Sequence, residues 1–232
     1  MKNIKYFLFL SLIACFVVAS GLAFTGCTDK YVSLTQESLA EVRQTLFVGE
    51  TDNLSVTFMS GYREKDYIIN GYNTELIPFG VLTVTLLNNN ITQSDGATYA
   101  LTIGTNRYEG VFEINPFDST YVGDIKQLVT DTQDLTLRFV LGSLNEEINL
   151  HNISSTWKVN HTEALKIACK ELKPQLKKLT QGTFLGETYI KIICDNKIQE
   201  NGCYWLVNFV GRKGETHSVL INPITAEILA KK

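Results

Sequence analysis

The stretch CYWLVNFVGRKGETHSVLI at residues 203–221 contains two runs of alternating apolar side chains joined by a turn. The members of the first run that share one face of an extended chain are Cys203, Trp205, Val207 and Phe209. In the second run, Val219 and Ile221 share a face. A period of two residues is typical of strands with one buried face, and the Gly-Arg-Lys-Gly turn between the runs predicts an antiparallel hairpin.

Two further runs extend this hairpin into a meander. TYIKIIC at residues 188–194 places Ile190, Ile192 and Cys194 on one face. EIL at residues 227–229 follows the turn NPITA and predicts a last short strand. We therefore expect an antiparallel sheet whose apolar face needs a cover.

A helix predicted ahead of the meander supplies that cover. Asn160 and Glu163 have the spacing of a reciprocal N-terminal cap. The apolar stripe that follows, at steps of 3 and 4 residues, consists of Leu165, Ala168, Leu172, Leu176 and Leu179. Pro174 lies within the stripe, so we expect it to kink the helix or end it early.

Residues 160–232 resemble a PepSY domain, in which a helix with small apolar residues precedes a Tyr-x-Val-x-Phe type strand and a strand running into Asp or Asn, Thr-Gly-Glu and an aliphatic pair. The matching positions are Ala164, Leu165, Ala168, Val207, Phe209, Val219, Ile221, Asn222, Thr225, Glu227, Ile228 and Leu229. Ala226 replaces the usual glycine and predicts a turn without a positive φ; Pro174 is a second departure. The resemblance implies a module that binds or restrains a peptidase or another envelope protein.

The region ahead of residue 150 predicts a second, β-rich domain. Alternating apolar residues at 54–60, 98–103 and 135–141 predict strands, and short turns separate them. SLTQESLAEVRQTLFV at residues 33–48 predicts one helix, because Leu39, Val42 and Leu46 repeat at steps of 3 and 4. The expected fold class is therefore α+β: an antiparallel sheet or sandwich with one helix over 33–150, then a helix and meander over 160–232.

The first 26 residues predict a targeting segment. Lys2 and Lys5 precede a long apolar run, and two small residues stand before Cys27. This arrangement resembles the lipobox of bacterial lipoproteins, although Phe24 stands where that family usually has Leu. The resemblance implies cleavage after Gly26, a lipid on Cys27, a tether over 27–32 and a location on the outer face of the cell membrane. An ordinary cleaved signal and an uncleaved anchor remain alternatives.

Composition and motifs give little support for catalysis or for a nucleic-acid partner. Without the two lysines of residues 1–26, the 21 basic residues fall to 19 against 24 acidic ones, a formal charge of −5. Such a balance gives no support for a nucleic-acid partner or for attachment to a membrane through a polybasic segment. The three histidines, His151, His161 and His217, have no metal-ligand or catalytic spacing, and no HExxH, phosphate loop or cofactor motif is present. We expect no enzyme activity, metal or cofactor.

Three cysteines remain outside the targeting segment and Cys27. Cys194 and Cys203 flank a short loop and would face each other in a hairpin, whereas Cys169 lies on the predicted helix. In an exported protein the first two predict a disulfide; two buried thiols are the alternative.

Two charged stretches each have two interpretations. GYREKDYIINGYN at residues 61–73 is either a binding loop, with Tyr62, Arg63, Tyr67 and Tyr72 as its contact residues, or a solvated hairpin, which is the commoner structure. The lysines of the C-terminal helix, Lys166, Lys170, Lys173, Lys177 and Lys178, form either a surface for an anionic partner or an ordinary solvated face.

The resulting hypothesis is a membrane-anchored, non-catalytic envelope lipoprotein that binds or restrains a peptidase, peptide or other envelope protein. The alternative is a structural or adhesive surface lipoprotein that binds a polymer such as a glycan through its N-terminal β domain.

Overall fold

The protein folds mainly as β-sheet. A computed structural model describes residues 30–66, 68–88, 90–129, 134–194 and 202–232. In this part of the chain there are fifteen strands and three α-helices, of 7, 11 and 6 residues. The α+β prediction is therefore wrong, because one predicted helix is largely a strand and the other is short and interrupted.

The helices are α1 (Lys30–Gln36), α2 (His161–Glu171) and α3 (Lys173–Lys178). The strands before α2 are β1 (Leu39–Glu50), β2 (Leu54–Glu64), β3 (Leu76–Leu86), β4 (Thr98–Ile103), β5 (Asn106–Val111), β6 (Glu113–Ile114), β7 (Tyr121–Ile125), β8 (Leu135–Leu141) and β9 (Leu144–Asn152). Those after α3 are β10 (Thr180–Gln181), β11 (Thr183–Phe184), β12 (Gly186–Cys194), β13 (Cys203–Gly211), β14 (Thr216–Ile221) and β15 (Ile228–Lys231). No helix in these ranges is both long and apolar enough to cross a membrane.

Strand β1 replaces most of the helix predicted over residues 33–48. Its edges pair in parallel with β12 and antiparallel with β2. Its faces are covered by the two cores, since Leu46 enters one and Phe47 the other, and six of its residues are buried in two groups of three. A register shift between Leu39 and Glu41 lets Leu39 and Val42, three residues apart, reach the same core. A bulged strand buried on both faces thus reproduces the spacing of an amphipathic helix.

Strand β1 also joins the two regions that the sequence predicts. Thirteen strands form one sheet, with the path β15-β14-β13-β12-β1-β2-β3-β7-β6. Strand β9 pairs with β1 at Phe47 and Val48, beyond β12 on the edge opposite β2, and β8, β4 and β5 follow β9. One hydrophobic core lies under α2 and α3, and the second lies between the strands of residues 47–150. Leu46 of β1 belongs to the first core and Phe47 to the second.

The C-terminal helix forms as the capping pattern predicts. The Asn160 side chain accepts a hydrogen bond from the Glu163 backbone N–H at 2.9 Å. Helix α2 ends at Glu171, and α3 begins two residues later with Pro174 in its first turn, where a missing N–H is tolerated. Pro174 therefore interrupts the helix, as predicted.

The last turn corrects the prediction made from Ala226. Ala226 has φ 66°, in the left-handed region that favours glycine. Its N–H donates to the Asn222 carbonyl at 3.0 Å, and the Asn222 side chain accepts from Ile224 N–H at 2.8 Å and Thr225 N–H at 3.1 Å. These bonds hold the turn in a conformation that the alanine side chain disfavours.

Candidate functional site

The loop between β2 and β3, residues 65–75, is the candidate binding element. Two of its predicted contact residues lie in β2 instead: Tyr62 packs on the C-terminal core, and Arg63 lies 4.9 Å from the Phe79 ring centroid and 3.2 Å from the Asp124 carboxylate. Tyr67 lies outside the described residues. Tyr72 is in the loop and is exposed, and the Arg212 guanidinium stacks 4.5 Å from its ring centroid.

The loop presents large apolar side chains to solvent. Ile68 and Ile69 are each 60% exposed, and Tyr72 is 57% exposed. The two isoleucines are not among the contact residues predicted from the sequence, although an Ile-Ile pair directly before Asn-Gly in a charged stretch is a visible signal. Three such side chains lie within five residues. A hairpin that only faces solvent rarely exposes so many large apolar groups together, whereas a binding surface does.

Local bonds hold the apolar residues in place. The Asn70 side chain accepts a hydrogen bond from Tyr72 N–H at 2.9 Å, and Gly71 adopts φ 79°. A Cβ on Gly71 would stand 2.7 Å from the Arg212 Cα, so only glycine fits this contact. Arg212 in turn donates to the Gly71 carbonyl at 3.4 Å. The loop is therefore seated on the turn between β13 and β14.

Two buried carboxylates support the loop from beneath. Glu64 is 1% exposed and accepts the Thr74 backbone N–H at 2.5 Å; Glu187 is fully buried and accepts the Asn70 N–H at 3.4 Å. The Tyr189 hydroxyl donates to the other oxygen of Glu187 at 2.8 Å. Both carboxylates thus bind backbone groups of one loop.

Burial raises the pKa of Glu64 above its ordinary value, and the charge of Glu187 raises it further; the hydrogen bonds from Thr74 act in the opposite direction. Oxygen Oε2 of Glu64 has no hydrogen-bond partner among the described residues. No group of three His, Cys, Asp or Glu side chains in the described ranges is placed to hold a metal ion. The arrangement suits a support for the loop.

A third buried carboxylate nearby is neutralised. Glu41 in β1 is 2% exposed and lies 2.7 Å from Arg43 Nε and 3.1 Å from Lys191 Nζ. Arg43 also donates to the Ile192 carbonyl at 3.2 Å. These cations tie β1 to β12, where the two sequence regions meet.

The cysteines of the described residues have structural roles. A disulfide joins Cys194 and Cys203, which face each other in register at the ends of β12 and β13 with 4.0 Å between their Cα atoms. Cys169 is buried in α2, and its Sγ lies 3.3 Å from Thr35 Oγ1. His217 is paired with Phe209 across β13 and β14. Since Cys194 and Cys203 are bonded to each other, neither can act as a thiolate nucleophile with His217.

A shallow cleft lies on the outer face of β4, β5 and β8. It encloses about 450 Å³ above Ala100, with Arg107 and Glu109 on one side and Arg138 on the other. Arg107 pairs with Glu109 at 2.7 Å, and Arg138 Nε donates to the Asn145 side chain at 2.9 Å. Tyr99, beside Ala100 in β4, turns its ring into the core against Phe112, where burial and, secondarily, the charge of Asp124 raise the pKa of its hydroxyl.

Comparison with known proteins adds no relative: no protein-family model, no curated protein and no solved structure matches the chain. Its function has to be inferred from its own residues.

Proposed function

We propose that the protein is a non-catalytic, lipid-anchored component of a bacterial envelope that binds a peptidase, peptide or other envelope protein through the loop of residues 65–75. The observation that carries the proposal is the exposure of Ile68, Ile69 and Tyr72 on a loop held by buried groups. The anchor is assigned to Cys27, which lies outside the described residues, on the lipobox resemblance.

The physical argument is that the loop combines apolar area with order. Apolar surface removed from water on binding contributes roughly 25 cal/mol per Å². Ordering a loop at an interface costs free energy, and a loop already held by Glu64, Glu187 and Arg212 loses less on binding. Tyr72 with Arg212 adds an aromatic and a guanidinium group, both of which are frequent in the energetic centres of interfaces.

Both regions of the chain contribute to this surface. The loop belongs to the N-terminal region, whereas Arg212 and Glu187 belong to the segment that resembles a PepSY domain. A partner that contacts Tyr72 would also meet the β13–β14 turn. This shared surface supports binding by the two regions together, and not by either one alone.

A capture experiment tests the proposal. The lipidated protein is used to capture partners from membranes, beside a variant with Ile68→Ser, Ile69→Ser and Tyr72→Ser. A matched control carries Leu87→Ser, Phe117→Ser and Leu229→Ser, which remove exposed apolar groups elsewhere. We expect the loop variant to lose a partner that the wild type and the control retain. Equal recovery with all three proteins would exclude this loop as the binding element.

The cleft above Ala100 favours a second candidate, binding of a glycan through the N-terminal sheet. Its walls offer guanidinium, carboxylate and hydroxyl groups, which suit hydroxyl-rich ligands. Of the tyrosines in the described part of the 61–73 stretch only Tyr72 is exposed, so these residues form no aromatic patch that would support glycan binding. A glycan array with wild type and Arg138→Ala tests this candidate. It is rejected if the wild type binds no glycan, or if the variant binds as well as the wild type.

A further inference from the structure

Helices α2 and α3 carry an exposed basic surface. Its members, all exposed, are Lys166, Lys170, Lys173, Lys177 and Lys178. The first four repeat at steps of 4, 3 and 4 residues, which places them on one side of the helical path, away from the buried Leu165, Leu172 and Leu176. We call these five residues the lysine face.

The charge of this face is concentrated and largely uncompensated. Residues 158–178 contain six lysines and two acids, whereas the chain after residue 26 has a net charge of −5. Glu163 pairs with Lys166 at 2.7 Å, and Glu171 pairs with Lys231 at 2.5 Å. Within the described ranges, the other four members of the lysine face form no ion pair.

The fold places this face close to the start of the described chain. Helix α1 packs on α2, where Thr35 Oγ1 lies 3.3 Å from Cys169 Sγ and Val32 enters the core beneath α2. Lys30 lies about 7.5 Å from Thr35 along the axis of α1, at 1.5 Å per residue. Cys27 stands three residues before Lys30 and is therefore within about 10 Å of it in any conformation. Adding these steps and the two side chains that meet, the chain allows at most roughly 30 Å between the Cα atoms of Cys27 and Lys170, which follows Cys169.

We propose that the lysine face binds the anionic phospholipid headgroups of the membrane to which the protein is anchored. This inference rests on the proposed lipid attachment at Cys27, and it adds the orientation that the protein takes on the membrane.

The physical reason is that the charge of the lysine face is opposite in sign to the net charge of the protein. An anionic membrane repels a protein with a net charge of −5, but it attracts lysines that come within a Debye length, about 8 Å at physiological salt. The anchor keeps the protein at the membrane surface, and the orientation that turns the lysine face toward the headgroups is favoured over the others because that face carries an excess of positive charge.

Lysine labelling on vesicles tests the orientation. The lipidated wild type is reconstituted into vesicles of phosphatidylcholine alone or of phosphatidylcholine with phosphatidylglycerol, treated with an amine-acylating reagent and mapped by mass spectrometry. We expect labelling of Lys170, Lys173, Lys177 and Lys178 to fall about fivefold on the anionic vesicles, and to recover at high salt. The exposed Lys65, Lys126 and Lys213 serve as internal references and should not change.

Two charge-reversal variants distinguish binding by the lysine face from attraction of the whole protein to the membrane. In the variant with Lys170→Glu, Lys173→Glu and Lys177→Glu, we expect Lys178 to lose its protection. In the matched variant with Lys65→Glu, Lys126→Glu and Lys213→Glu, the protection of the lysine face should persist. Equal labelling on both vesicle types, or protection that both variants retain, overturns the inference.

The same maps distinguish the two proposals, because the mass of the N-terminal peptide reports the lipid on Cys27. A lipidated peptide without protection of the lysine face overturns only the orientation. A peptide without lipid overturns the anchor and the orientation together, and leaves the loop of residues 65–75 to be judged by the capture experiment.

Discussion

Glu64 and Glu187 are 123 positions apart in sequence, yet both carboxylates accept backbone N–H groups of the loop of residues 65–75. Their proximity depends on β1, which pairs with β2 on one side and in parallel with β12 on the other. The two acids repel each other when both are charged, and burial adds to the penalty on Glu64. The support of the loop therefore lowers the stability of the fold at neutral pH.

Glu64→Gln should raise the free energy of unfolding at neutral pH, on the order of 1 kcal/mol, because the amide keeps an acceptor for Thr74 without a buried charge. The folded-state pKa of Glu64 is raised, so the folded protein binds this proton more tightly than the unfolded chain. The wild type therefore loses stability as pH rises from the ordinary value of 4.5 through the folded-state pKa. Thermal melts across this range should show the variant's advantage at neutral pH and its disappearance below pH 4.5.

The control for this prediction is Glu41→Gln, where the opposite sign is expected. Glu41 is equally buried, but its charge is paired with Arg43 and Lys191. Removing the charge should lower the free energy of unfolding by about 1–2 kcal/mol at neutral pH. If both variants shift the free energy of unfolding in the same direction, then Glu64 and Glu41 do not differ in whether their charge is compensated in the folded protein.

Ala226→Gly should stabilise the protein by about 0.5–1 kcal/mol. Alanine at φ 66° suffers a steric penalty that glycine avoids, and the greater freedom of glycine in the unfolded chain offsets part of the gain. Gly214 has φ 83° and open space around it, so it allows the reverse substitution as a control. Gly214→Ala should destabilise by about 1 kcal/mol in the same denaturant titration. A destabilised Ala226→Gly variant would contradict the turn geometry.

Much of the local structure could be predicted from the sequence, and the relations between distant segments could not. Strands with one buried face, such as β8 and β13, have a clear period of two, and the helix cap at Asn160 is a local signal. Strand β1 was mistaken for a helix because bulges and burial on both faces remove that period. The support of the loop by Glu187 depends on parallel pairing across the whole chain, which no local pattern encodes.

Replacing Cys194 and Cys203 by serine should lower the free energy of unfolding by about 2–3 kcal/mol. The disulfide closes a loop with a sequence separation of 9, and in the chain-entropy model a loop of this size contributes that amount by restricting the unfolded state. Denaturant titrations with and without reductant measure the effect. Reductant should lower the midpoint of the wild type and leave the double variant unchanged; an unchanged wild type would show that the disulfide does not stabilise the fold.

Trp205→Phe should destabilise the protein by about 2–3 kcal/mol, because two interactions are lost together. The indole Nε1 donates to the Val159 carbonyl at 2.7 Å, directly before the Asn160 cap of α2, and the ring packs edge-on against Trp157 with 5.4 Å between centroids. Phenylalanine leaves this buried carbonyl without its donor and leaves part of the core unfilled. Trp157→Phe is the matched control, since it alters the same ring contact but keeps the hydrogen bond to Val159, and it should cost about 1 kcal/mol. Amide hydrogen exchange of α2 should accelerate more in Trp205→Phe than in the control, because the hydrogen bond to Val159 fixes the start of the helix. Equal exchange in the two variants would show that Trp205 stabilises the core without positioning α2.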